Sequence, residues 1–319
     1  MSGIRSTWIR RPSTPNATAA TSIALLTLAL AAFVLLTQYL PELAHAVRTG
    51  IDAHTPPLVY LGKHWFWAAV TMTGLGVGLA ATADTRPRLG PPPTAPRPTV
   101  LALGAPLLVA GVLLVGVPGL FGEPVSEIAT VTLLGWPTAW EVLGTAVVPA
   151  TIVATALTTL FVGGIHHRLR DTYAGPPTVA ATALAAGFTH WLLDPFAIPV
   201  GTLRLRLAVV AFAVAITVTP YVLVRFQTAT TIRDGLTLAR VGVLAVATVF
   251  LAALGIDVLA GNITAAELAV AMAWFVVFAV ASAGYERGKA LVWAIVTLTV
   301  FQTLLYLAPY IEYSAGLAG

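Results

Sequence analysis

Nine runs of apolar residues recur along the chain, each close to the length a helix needs to cross a bilayer. They lie at about Ala19–Leu40, Trp65–Ala83, Val100–Phe121, Trp140–Ile165, Thr178–Leu193, Leu207–Val224, Val241–Ala260, Ala265–Gly284 and Ala290–Tyr310. Crossing ~30 Å of hydrocarbon at ~1.5 Å per residue takes roughly 17–25 residues. Backbone inside lipid must satisfy its own hydrogen bonds, which here means helix. Only 9% of the 319 residues are charged, against about 25% in a soluble domain. A soluble fold of this size could not cover its surface with so few charges. The expected fold is therefore all-α, a polytopic integral membrane bundle of about nine transmembrane helices.

The basic residues set the expected topology. With the N-terminus inside, the arginines of the tail (Arg5, Arg10, Arg11), of the 84–98 connector, of the turn at 168–170 and around 225–240 and 287–289 all fall inside. Arg48, Lys63, Arg204 and Arg206 fall outside. This excess predicts N-in/C-out. Trp65, Trp67, Trp136, Trp140, Trp191, Tyr310 and Tyr313 then lie near outer ends, at the headgroup level such rings prefer. Residues 1–18 read as a cytoplasmic tail, 19–311 as one transmembrane domain with its core at 140–194, and 312–319 as a short C-terminal tail. Ala44-His45-Ala46 offers a signal-peptidase-like site, but the preceding run is longer than a usual signal core and reads as an uncleaved first span. The expected location is a prokaryotic plasma membrane.

Composition also removes functions. There is no cysteine, so disulfides, thiolate metal sites and a cysteine nucleophile are absent. The net charge of +4 comes from basic residues scattered singly between apolar runs. Nucleic-acid binding needs a clustered basic face, so no nucleic-acid partner is expected. The apolar cores hold no Lys, Arg, Asp or Glu. Ion pumps, proton-coupled carriers and voltage sensors depend on such groups.

His190 is the one histidine deep in an apolar run, and Asp194 lies four residues on, on the same helical face. A carboxylate there can orient the imidazole and fix its tautomer. His64 sits at the outer edge of the second run, with Glu141 at the start of the fourth. His64, His190 and Asp194 make a candidate site for zinc or another divalent ion. The plainer reading has His190 bonded to a neighbouring helix and Asp194 paired with Arg204 or Arg206; on it, no cofactor is expected. His166, His167, Arg168 and Arg170 read as cations at a helix C-terminus facing anionic headgroups. Gly74-x-x-x-Gly78 is a close-packing pattern. Pro106, Pro118, Pro149 and Pro220 are expected to kink their helices.

Residues 158–193 resemble the core of the CPBP intramembrane peptidases, the family of CAAX-processing and bacteriocin-immunity membrane proteases. That core is a helix with Glu-Glu-x-x-x-Arg-Gly, an arginine-rich turn ending near Gly-Pro, and a helix with Phe-x-x-x-His. Here the first helix reads Thr158-Thr159-Leu160-Phe161-Val162-Gly163-Gly164, the turn Arg168-Leu169-Arg170 to Gly175-Pro176, and the second helix Ala186 to His190. The family's glutamates fall on Thr158 and Thr159, its arginine on Gly163 and its phenylalanine on Ala186. Gly164 and His190 match. A threonine hydroxyl is neutral and cannot serve as the carboxylate general base. The resemblance therefore implies a member without peptidase chemistry. It would bind a membrane protein, a peptide or a lipid of the surrounding bilayer in a cleft lined by Thr158, Thr159, Gly163 and His190. Two alternatives are a metal-dependent membrane hydrolase using His190 and Asp194, and a facilitator for a small neutral or lipid-like solute.

Because the chain lacks cysteine, single introduced cysteines report topology directly. A cysteine in the 84–98 connector should react with a membrane-impermeant maleimide only after the inner face is opened. One at Lys63 or Asn262 should react in intact cells. The reverse pattern would overturn N-in/C-out.

Overall fold

The computed structural model describes residues 44–47, 63–81, 88–90, 96–122, 124–125, 138–173, 175–193, 202–228, 232–259 and 264–315. Among these residues every regular element is helical. In chain order they are α1 (His64–Ala81), α2 (Pro96–Phe121), α3 (Ala139–Leu169), α4 (Pro176–Leu193), α5 (Thr202–Ala213, Val214–Val218 and Thr219–Thr228, continuous), α6 (Ile232–Leu259), α7 (Ala265–Gly288), α8 (Leu291–Tyr306) and α9 (Ala308–Ser314).

Among the described residues, four stretches are long and apolar enough to cross a membrane: Val100–Leu120, Ala139–Leu169, Arg206–Arg225 and Glu267–Gly288. The bent pair α8–α9, with 54° between its members, makes a fifth if it is one span. Trp65–Ala81 and Arg240–Ile256 are apolar but shorter. The first expected run, Ala19–Leu40, lies outside the described residues.

Helix α7 sits at the centre, against α4, α2 and α8. Around it, α8 also touches α2 and α3, α1 lies along α3, α4 bridges α3 and α5, and α6 leans on α5. Two-thirds of the apolar window of α3 is inside the bundle (67%), but only a third of that of α2 (33%). Val100, Leu107, Leu108, Val112 and Val115 of α2 are exposed. A bare apolar face of this extent is an aggregation hazard in water and an ordinary surface in lipid.

Contacts between their C-terminal turns show that α3 and α7 run parallel. Arg168, Arg170, Arg287 and Lys289 gather there, at what is called below the basic end. At the opposite end both helices start with a capping box, Thr138 with Glu141 and Thr264 with Glu267. Each box satisfies two otherwise orphaned amides, and such a cap contributes about 1 kcal/mol.

Three stretches widen to π-helix: Leu143–Val147, Thr158–His166 and Val214–Val218. Two have a covalent cause. Pro149 and Pro220 carry no N–H for the carbonyls of Thr145 and Ile216, and their rings would clash there. The π turn just before each proline takes up that misfit in place of a sharp kink. The third is nine residues long and contains no proline. It coincides with the closest approach of α1. A Cβ on Gly76 would stand 2.4 Å from the Thr159 carbonyl, and one on Gly164 3.1 Å from the Gly76 oxygen. Gly187 is held as tightly, 2.3 Å from the Phe275 ring.

Gly74 and Gly78 are different: a Cβ at either meets no heavy atom within 4 Å. The expected close-packing pair therefore faces away from the described bundle, and Gly76 between them does the packing. Gly76→Val should destabilise by about 1–3 kcal/mol through overpacking, and Gly74→Val by less than about 0.5 kcal/mol. Thermal unfolding in lipid discs measures both; equal effects would contradict this packing.

Candidate functional site

The polar centre of the bundle lies at its basic end and is built around Glu286, in the last turns of α7. His166 Nε2–H donates to Glu286 Oε2 at 3.1 Å. Lys289 Nζ lies 2.9 Å from Oε1, and Arg170 Nε 3.0 Å from Oε2 as an ion pair whose N–H is not aimed along the contact. One carboxylate thus ties α3, the turn after it, α7 and the α7–α8 link together. Charge-assisted bonds of this kind are stronger than neutral ones.

His166 is fully buried. Its Nδ1 pairs with Thr182 Oγ1 of α4 at 3.2 Å. With Nε2 donating to the carboxylate, neutral His166 accepts the threonine proton at Nδ1. Next to it, His167 Nδ1 shares a hydrogen bond with the Tyr285 hydroxyl at 3.0 Å. The Tyr285 ring stands edge-on to the His166 ring, with centroids 5.4 Å apart. Arg168 Nη1 donates to Asp171 Oδ2 at 3.2 Å. Beyond the helix, burial pushes the Tyr173 phenol above its ordinary pKa, so it stays protonated.

Lys289 holds the turn. Its φ of 53° is left-handed, a region that suits glycine. Its amide caps α7 by donating to the Tyr285 carbonyl at 2.7 Å. Its ion pair with Glu286 offsets part of the strain of about 1–2 kcal/mol expected for a side chain there.

The order Thr182–His166–Glu286 is that of a nucleophile, a base and an orienting acid. What it lacks is access, since Thr182 and His166 both have zero exposure. A hydroxyl that cannot be reached by substrate is a hydrogen-bond partner and not a nucleophile.

The expected cleft residues lie further along the same α3–α4 interface. The helices are antiparallel, and Thr158 precedes His166 by as many residues as His190 follows Thr182. The π-helical stretch rises less per residue than the α-helix opposite, so Thr158 lies towards the His190 end of this interface without being strictly level with it. Thr158 is fully buried, and its hydroxyl has no partner among the described residues. The Thr159 hydroxyl donates to its own helix, to the Thr155 carbonyl at 2.7 Å. A Cβ on Gly163 would touch the Leu291 side chain at 3.5 Å. His190 stacks on Trp274 of α7, with centroids 4.2 Å apart and planes 24° from parallel. Trp274 in turn meets Phe278 and Phe301, and Phe278 meets Phe161. Aromatic packing thus occupies the space beside His190.

Of the expected metal trio, only the His190 side chain is among the described residues; Asp194 and the side chain of His64 lie outside them. Glu141 is exposed and engaged in its capping box. Among the described residues no three His, Asp or Glu side chains come together as a metal site.

Sequence reasoning missed Glu286. The signal was present in Tyr285-Glu286-Arg287-Gly288-Lys289, a lone acid among cations at the end of an apolar helix. His166 and His167 were noticed only as helix-end cations. Compared with family models, curated proteins and solved structures, the chain matches none.

Glu286→Gln should lower stability by about 1–2 kcal/mol, the range for a polar contact between membrane helices. A double-mutant cycle of Glu286→Gln with His166→Ala should give a coupling of at least about 0.5 kcal/mol. Strict additivity would show that the two do not act as a unit.

Proposed function

We propose that this chain is a non-catalytic multi-pass membrane protein with a CPBP-like core, acting by binding a partner helix within the bilayer. The reading takes nine spans with the basic end inward, as the positive-inside rule directs. The observation that carries it is the closed state of the polar centre. Both ring nitrogens of His166 and both oxygens of Glu286 have partners within the chain. A hydrolase needs a reachable nucleophile or water beside its base, and Thr182 and Thr158 are fully buried.

Two further facts support partner binding. The Trp274 ring covers one face of His190 at the end of α4, so a ligand is better met on the outside of the bundle. On that outside, no described residue covers the face of α1 at Gly74 and Gly78, beside the exposed Val70 and Val77. Small residues one turn apart let another helix approach backbone to backbone.

Cross-linking in native membranes tests this. A discrete adduct should form with the unaltered chain, survive His190→Ala, and disappear in Gly74→Leu/Gly78→Leu while the protein stays folded. A hydrolytic activity abolished by His190→Ala would contradict the reading, as would a chain that remains alone in its membrane.

A further inference from the structure

The corner where α7 passes into α8 brings together donors that the polar centre does not use. The Arg88 carbonyl accepts the Leu291 N–H at 3.1 Å, which pins the 88–90 segment to the first turn of α8. Gly90, at φ 62°, lies so close that a Cβ there would stand 3.0 Å from the Ala290 Cβ. This brings Arg88 to the same corner as Arg287 and Lys289, and all three are exposed. Glu286 is shared between Arg170 and Lys289. Among the described residues Arg88 and Arg287 have no carboxylate partner.

The first turn of α8 adds more donors. Its N-cap, Ala290, offers no side-chain acceptor. Among the described residues the Val292 N–H has no acceptor. The Trp293 indole is a separate sign. Trp293 is only 5% exposed, packs on Ala290 and Ala102, and its Nε1–H has no acceptor among the described residues. A buried donor without an acceptor is destabilising. Two guanidinium groups, one spare helix-start amide and an orphaned indole are all donors that suit negative charge or oxygen. They stand where the apolar helices α7 and α8 meet, the kind of place where basic side chains of a spanning bundle meet anionic lipid.

We propose that this corner binds the phosphate of an anionic phospholipid, with Arg88 and Arg287 pairing with the anion and the Val292 N–H, left over in the first turn of α8, donating to it. The site is separate from the partner-binding face of α1 and does not depend on it. A helix start with flanking cations is a general phosphate-binding arrangement, and arginine suits the bidentate geometry.

The test uses the full chain, extracted from discs of phosphatidylcholine mixed with phosphatidylglycerol, with retained lipid read by native mass spectrometry. Phosphatidylglycerol should be enriched over its bulk fraction. Arg88→Gln/Arg287→Gln should cut that enrichment by roughly tenfold, with an unchanged unfolding temperature in pure phosphatidylcholine. Arg225→Gln/Arg240→Gln, which removes two other exposed cations, should leave it in place. Equal loss from both pairs would reduce the effect to general surface charge and overturn the proposal. Enrichment indifferent to Arg88 and Arg287 would also overturn it, as would displacement of the lipid by millimolar inorganic phosphate, which would make the free anion the ligand.

Discussion

Lipid gives an apolar helix no reason to prefer another helix over acyl chains, because both are equally greasy. The bundle must therefore be held by what lipid cannot offer, which is close backbone contact, matched rings and a few hydrogen bonds. The contacts between α1 and α3 at Gly76 and Gly164 supply the first, and at Gly76 a Cβ would run into the Thr159 backbone. The stack from His190 through Trp274 to Phe278 and Phe161 supplies the second. Glu286 supplies the third, and it joins more elements than any other side chain described above.

The position of Glu286 follows from the cost of burying charge. At mid-depth a carboxylate would cost several kcal/mol. At the end of α7 it remains partly accessible, with 18% of the side chain exposed, and meets Arg170 and Lys289 from the water side. His166 approaches it from the buried side. The cluster therefore bridges the buried core and the exposed surface, and its partners account for both oxygens. An arrangement that joins four elements through one carboxylate rigidifies one end of the bundle. It does not present a reactive group. The opposite end is built from two exposed capping boxes, so the two ends differ in kind as well as in charge.

Helix positions were legible because apolar runs of spanning length have few alternatives. Val100–Phe121 and Ala265–Gly284 fall within α2 and α7, and Thr178–Leu193 within α4. The last expected span, Ala290–Tyr310, is instead two helices, broken before Pro309, which cannot continue the backbone ladder. Its successor α9 runs past 311, the expected end of the membrane domain, and buries Glu312, whose Oε1 accepts the Val125 N–H at 2.6 Å. The site was harder to read for a geometric reason. Face assignments assume 3.6 residues per turn, and a nine-residue π segment between Leu157 and His167 rotates everything after it. That rotation, together with a partner some 120 residues away in Glu286, kept the role of His166 out of the local sequence. His190 was legible as buried, but its flat stack on Trp274 depends on α7, far along the chain.

Hydrogen exchange of the unaltered chain in lipid discs tests the central claim most directly. If Glu286 closes the basic end, amides of Phe161–Arg170 and Ser282–Lys289 exchange as slowly as those around Phe278 and Phe301 in the dry core. The exposed starts of α3 and α7, near Trp140 and Glu267, exchange much faster. Equal, rapid exchange at both ends would contradict the account, because the basic end would then fray like any unlocked helix terminus.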